Sequence, residues 1–330
     1  VYLVNVQHVL TFASLAVNFL LVNFIIRGRN KDIGNYRMLL TCFAINDFVF
    51  TVVHYLTYPI AETHPNTFMQ RSHGPIKSLF MQCIYIGNYG TSFPLLCANF
   101  IYRVMVLKSS LREHFNKLLV GTLLAVIASF CLWFFVAYAL FTQDDESRAI
   151  TRELFEGRLS SPIVHSAETA DLYVVAVYWS GNTFEGPRWK CFAGAIILVT
   201  IMSAVYGTIT TCSVVIVKHT KIHAKSTGSI RLQRQLFTCL TIFPMTTAYF
   251  PAGFCIFAPI LGVSWPAISM VLPNFCCLHP LFDGLVVMLA ITEYRKSLMR
   301  LVTCGREKEK ANVSASFVSL KLSASYPGKT

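Results

Sequence analysis

"KLLVGTLLAVIASFCLWFFVAYALF", residues 117–141, carries a single charge, Lys117 at its first position. A helix that is apolar on every face has water on none of them, and roughly 20 such residues cross a hydrocarbon core of about 30 Å. Six more runs of this kind lie near 3–26, 38–61, 79–107, 191–217, 236–260 and 265–291. The 330 residues are 54% hydrophobic and only 13% charged, where a soluble domain carries about 25% charged. The pattern predicts an all-α membrane protein, a seven-transmembrane helix bundle. Each run exceeds the apolar core of a signal peptide, so the first reads as a retained anchor.

The net charge of +12 does not point to nucleic acid, because the charges alternate by loop. Segments 27–37, 103–117, 218–235 and everything after 292 hold 21 Lys and Arg residues, against 7 in 62–77 and 142–190. Lys and Arg collect on the cytoplasmic side, which places the N-terminus outside and the C-terminus in the cytoplasm. The long segment 142–190 contains eight acidic residues and reads as an outer loop that either folds over the bundle mouth or stays solvated. Residues 1–304 read as the seven-helix transmembrane domain. Its last part, 292–304, is a short interfacial helix with Tyr294, Leu298, Leu301 and Val302 on one face and Cys304 as a palmitoylation candidate. Residues 305–330 read as a disordered cytoplasmic tail, so the Asn312 sequon stays unglycosylated.

Zinc-ligand spacing, a phosphate-cradling glycine loop and a nucleophile elbow are all missing from the sequence. An enzyme is therefore not expected, nor any cofactor or metal. Of the eleven cysteines, only Cys83 and Cys191 fall toward the outer face. They are either a disulfide or two packed thiols.

Polar groups inside spans are costly and mark function by default. In the outer half of the third run, "YIGNYGTSF" (85–93), Tyr85, Asn88, Tyr89 and Ser92 share a face by i, i+3, i+4 and i+7 spacing, while Gly87 and Gly90 admit a neighbouring helix. Aromatic rings with a few neutral polar groups suit a small-molecule pocket. Tyr249, Phe250 and Phe254 of the sixth run and Met270 of the seventh are candidates for its facing wall. Pro244, Pro251 and Pro259 make the sixth run a candidate pivot or a static kink. Counting from the basic rim at 1.5 Å per residue puts Asp283, Asp47 and Asn18 about 18, 15 and 14 Å deep, near mid-bilayer. Two carboxylates there either share a proton, hold a cation, or cap separate local networks.

"DIGNYRMLLTCFAINDF" (32–48), "FIYRV" (100–104), "GSIRLQRQLF" (228–237) and "HPLFDGLVVMLAITEYRKSL" (279–298) together resemble the nematode serpentine chemoreceptors of the Str superfamily. The resemblance covers nearly the whole chain and is loosest in the outer segments. It implies a G-protein-coupled receptor for small environmental chemicals in a multi-pass cell membrane, that of a sensory cilium. Its partners would be a small-molecule ligand, a heterotrimeric G protein and the lipid bilayer. Tyr102 and Arg103 match the arginine motif ending the third helix, with Arg231 and Arg234 as a basic cluster facing the same partner. The resemblance also makes spans one, two and seven neighbours, which would bring Asn18, Asp47 and Asp283 together. Pro280 and Asp283 match the family's proline-x-x-aspartate pattern. Gly284, however, stands where the family has proline, and "TIFPMTTAYFP" (241–251) lacks its glutamine. A transporter or a ligand-gated channel for a small solute is the rival reading. The first would be expected to show half-to-half repeats and the second a polar pore-lining stripe, and neither is visible.

Overall fold

The structure is a computed structural model that describes residues 2–27, 36–107, 113–156, 173–180, 186–223, 245–291 and 293–301. In chain order, α1 (Tyr2–Arg27) and α2 (Tyr36–Thr57) lead into the hairpin β1 (Pro59–His64) and β2 (Thr67–Ser72), then α3 (Leu79–Leu107). Helix α4 (Phe115–Phe135) ends in a π-helical turn, Val136–Leu140. Then come α5 (Asp145–Glu156), β3 (Tyr173–Val177), the short pair β4 (Trp179–Ser180) and β5 (Gly186–Pro187), and α6 (Trp189–His223). A second π-helical turn, Met245–Tyr249, opens α7 (Phe250–Ile260), which is followed by α8 (Pro266–Ala290) and a helix, α9, over 293–301.

Among the described residues six helices are long and apolar enough to cross a membrane: α1 to α4, α6 and α8. The expected sixth run, 236–260, is described only from Met245 onward, where α7 is a shorter apolar helix. The chain forms two compact units, Val1–Gly284 and Leu285–Thr330. Residues 302–330 lie outside the described residues.

The expectation of an all-α protein is corrected. Strands β1, β2 and β3 form an antiparallel sheet in that order, and β4 pairs with β5. The second run therefore stops at Thr57 and not at 61. Tyr58 adopts a left-handed backbone (φ 43°), and Pro59 takes the first strand position, where its missing N–H breaks no ladder bond. Pro65 and Asn66 make the hairpin turn, Asn66 supplying the positive φ (88°) that its second corner requires. The sheet's third strand comes from the far side of the 142–190 segment, with Met69 paired to Val175.

Helix α3 is the interior helix. Gln82, Tyr85, Asn88, Phe93, Asn99 and Phe100 are all buried on it. By contrast, α4 leaves Val120, Leu124, Ile127 and Phe135 exposed, a surface that in water would be an aggregation patch and in lipid is solvated by its own kind. The close approach expected at Gly87 and Gly90 is present. A Cβ on Gly90 would lie 2.4 Å from Trp133 Cγ, and one on Gly87 3.1 Å from Phe130. This lets α4 lie along α3 with Trp133 buried between Tyr89 and Phe93.

Candidate functional site

A cavity of ≈ 90 Å³ lies between the sheet and the helices. The sheet supplies Ala61, Phe68 and Gln70; α3 and α4 supply Tyr85, Tyr89 and Trp133; α7 and α8 supply Ala252, Cys255 and Cys276. The sheet is tied down around this space. Thr63 N donates to Ser269 Oγ (3.2 Å) and Thr63 O accepts from Ser264 Oγ (3.0 Å), both from the start of α8 or the turn before it. Gln70 Nε2 donates to Gln82 Oε1 on α3 (2.8 Å), and Asn66 N to Pro259 O on α7 (3.3 Å). Glu62 is buried and paired with Arg71 at 2.8 Å.

The segment carrying β3 is held separately. Asp144 caps α5 in a reciprocal box, its Oδ1 accepting from Ser147 N (2.9 Å) while its own N–H donates to Ser147 Oγ (2.8 Å). Arg188 pairs with the same carboxylate and approaches Glu146 at 3.7 Å. Burial alone would push the Asp144 carboxyl up. The Ser147 hydrogen bonds and the Arg188 and Lys190 charges outweigh it and hold the group below the usual carboxylate range.

A second constellation lies deeper, between α1, α2 and α8. Asn18 Nδ2 donates to Ser14 O (3.1 Å) and to Pro280 O (3.0 Å), bridging α1 to α8. Ser14 Oγ meets Thr51 Oγ1 at 3.0 Å, and Thr51 Oγ1 donates to Asp47 O at 2.7 Å. Asp47 is buried and within electrostatic reach of Asp283. Asp283 Oδ2 lies 3.6 Å from His279 Nε2, one turn back on α8. The three residues counted to one depth are thus on neighbouring helices. Gly284 permits this, since a Cβ there would sit 2.7 Å from Val17 Cγ1 and 3.0 Å from Asn18 Oδ1.

The family model for serpentine-type seven-transmembrane chemoreceptors, Str, matches residues 3–299. The chain belongs to the Str family of G-protein-coupled chemoreceptors. It is similar to serpentine receptor class r-10 of Caenorhabditis briggsae, at 25% identity over 97% of this chain and 96% of that one. It is also similar to the receptor of the same name in Caenorhabditis elegans (24%, covering 89% and 88%) and to the G-protein coupled receptor str-33 of Caenorhabditis elegans (23%, covering 87% of each).

In this Str receptor, Tyr85 and Tyr89 line the cavity, while Asn88 and Ser92 are buried on α3 outside its lining. Tyr249 is buried with its ring edge-on to Phe93 (5.0 Å), also outside the lining. Phe250 is 57% exposed, and Phe254 packs against it and Trp265. Pro251, Ala252, Cys255 and Ile256 are the face of α7 turned to the cavity, and helical periodicity puts Phe250 on the other side. Met270 is on α8, and its side chain lies outside the described residues. Cys83 and Cys191 are both buried free thiols, Cys191 Sγ donating to Leu140 O at 3.7 Å.

At the end of α3 away from the sheet, Arg103 is part-buried and its Nε donates to Asn99 Oδ1 at 3.4 Å, while Tyr102 meets Phe115 edge-on at 5.5 Å. Arg231 and Arg234 lie outside the described residues. Sequence reasoning missed Trp133, Gln70, Cys255 and Cys276 in the cavity, and His279 beside Asp283. Only His279 had a legible signal, the i, i+4 spacing in "HPLFD".

Proposed function

We infer that this receptor takes a small, neutral organic ligand into the cavity between the sheet and α3, α4, α7 and α8, and activates a heterotrimeric G protein at the opposite end. The observation that carries this reading is the cavity itself. Its lining is apolar apart from phenols, thiols, one amide and one indole, and it offers no carboxylate or basic side chain to an ionic ligand, whose unpaired charge would be costly to bury. The sheet end is the outer end, as the Lys and Arg asymmetry requires, and the membrane is that of a sensory cilium. Ligand shifts the population only as far as it binds the active state more tightly.

Arg103 stands for the G-protein contact on α3, with Arg231 and Arg234 as the accompanying basic cluster. The Asn18, Asp47 and Asp283 constellation biases the resting state against the active one. Two carboxylates and one imidazole at that depth are balanced by a shared proton or by a cation.

The test is to fill the cavity. Ala252→Leu adds three carbons to a space of ≈ 90 Å³, so in cells expressing the receptor it abolishes the response to any agonist found by screening neutral volatile compounds. Surface expression stays at the wild-type level. Full potency in Ala252→Leu would move the ligand elsewhere.

A further inference from the structure

We propose that protons reach Asp47 and Asp283 from the outer side alone, along a polar seam between α1, α2 and α8, so that external acidity sets this switch by a route separate from the ligand cavity. This rests on the Asn18, Asp47 and Asp283 constellation acting as a switch. It follows from which face each helix hides. Helix α1 exposes Val6, Val9, Phe12 and Phe19 and buries Gln7, Thr11, Ser14 and Asn18. The buried positions follow i, i+4, i+7 and i+11, one stripe along the helix. Helix α2 answers with His54, Thr51 and Asp47, all buried and again one stripe. Polar side chains turned inward in a membrane pair with one another or line water. None of them lines the cavity under the sheet.

A chain of contacts leads from the mouth of the seam to its depth. His8, half-buried, meets Tyr58 edge-on at 4.9 Å. Tyr58 lies within electrostatic reach of Cys277 on α8, whose Sγ is 3.8 Å from Thr11 Oγ1. One turn further in, Ser14 Oγ is 3.0 Å from Thr51 Oγ1 and 3.4 Å from Asn18 Nδ2. Neither nitrogen of His54 has a hydrogen-bond partner among the described residues, although the ring is buried among those of Phe50, Tyr58 and Tyr85. Buried polar groups find hydrogen bonds, through water where no side chain reaches. An imidazole bonded on both sides accepts a proton at one nitrogen and releases one from the other, which makes His54 a relay.

At the inner end, Asn18 Nδ2 is committed to the carbonyls of Ser14 and Pro280, which settles which end of the amide is oxygen. Asn18 Oδ1 is then a buried acceptor with no donor among the described residues, turned to α8 where Gly284, next to Asp283, leaves it room. A hydronium ion outside gives up its proton and leaves water, and one carboxylate of the pair becomes a carboxyl, the donor that Asn18 Oδ1 lacks. Protonation also removes one of two like charges. The seam stops there. Further inward the same stripes continue as Leu21 and Ile25 on α1 and Ala44 and Leu40 on α2, all buried and apolar. The direct Ser14–Thr51 contact closes the seam to a hydrated cation, whereas a proton moves along hydrogen bonds. The titratable groups that border it are His8 on α1, His54, Tyr55 and Tyr58 on α2, Tyr85 on α3, and Cys277 and His279 on α8. Among the described residues His279 alone pairs with a carboxylate of the site.

For the test, the full-length receptor is reconstituted in sealed vesicles with its N-terminus outward, and carboxylate protonation is followed by time-resolved infrared difference spectroscopy after an acid step. Asp47→Asn and Asp283→Asn identify the band that belongs to the pair. An acid step outside raises this band, and the same step inside the sealed vesicle does not. Thr51→Val removes the hydroxyl and slows the rise about a hundredfold, the lower end of what one positioned proton-transfer group contributes. His54→Phe slows it likewise, while Thr51→Ser keeps the wild-type rate. A wild-type rate in both Thr51→Val and His54→Phe would overturn the seam, and a band raised equally from inside would overturn its sidedness. Either result leaves the carboxylate switch standing. No band from either side overturns the proton as occupant and leaves the carboxylates to a cation.

Discussion

Gly90 and Gly284 each hold two helices closer than any side chain would allow, and each stands beside a residue of functional interest. At Gly90 the added Cβ of Gly90→Ala meets the Trp133 ring at 2.4 Å. The ring is pinned by Phe93 and Tyr89 and cannot swing clear, so the substitution costs about 1–3 kcal/mol, the range for overpacking. It is read as a lowered melting temperature together with loss of agonist response. Asp283→Asn keeps shape and removes one charge from the α1, α2 and α8 constellation, where the Asp283 side chain is 13% exposed. Basal signalling changes, and its dependence on sodium or pH is blunted. Wild-type dependence in both Asp283→Asn and Asp47→Asn, with normal surface levels, would dissolve the proposed switch. Arg103→Ala abolishes coupling but not ligand binding, while Arg231→Ala and Arg234→Ala give smaller, graded losses. Normal potency and maximum response in Arg103→Ala would reduce that arginine to a depth anchor.

Among elements, the long helices α1 to α4, α6 and α8 were legible because each is apolar over a whole span, and hydropathy carries that signal without reference to any partner. The polar helix α5, by contrast, fell in a segment read as loop. Helix α3 spans Leu79–Leu107, as its apolar run predicts. The sheet was not legible. Residues 59–72 mix apolar and charged side chains, and their partner strand β3 lies about a hundred residues on in sequence, so no local period announces the pairing. The cavity inherits both outcomes. Tyr85 and Tyr89 were readable from spacing along one helix, whereas Ala61, Phe68 and Gln70 arrive only when the sheet closes. Trp133 is one apolar residue among many in its run until Gly90 admits it. The strap formed by α5 and β3 yields its own prediction. Folding favours the charged Asp144 carboxylate, so its contribution is complete above the ordinary carboxylate pKa of about 4 and is lost only as pH falls through the lower folded value. Hydrogen exchange of α5 and β3, corrected for intrinsic rates, is therefore unchanged between pH 7 and pH 5. Arg188→Ala raises it at both pH values by removing the ion pairs to Asp144 and Glu146.

At the scale of the whole molecule, the proposed function requires the sheet and cavity to face outward and Arg103 to face the cytoplasm. An epitope tag at the N-terminus is reached by antibody on intact cells, and one at Thr330 only after permeabilisation. Labelling of the Thr330 tag on intact cells would turn the basic segments away from any cytosolic G protein. Occupation by ligand of the space roofed by the sheet and walled by α3 and α4 is tested by photoaffinity labelling. A neutral agonist bearing a small diazirine is irradiated on the full-length receptor, and the adducts are mapped by mass spectrometry. Modification is expected within Leu79–Leu107 and Phe115–Phe135, centred on Tyr85, Tyr89 and Trp133 and prevented by excess unlabelled agonist. Competable labelling confined to the exposed α7 face around Phe250, or to the Arg103 end of α3, would contradict it.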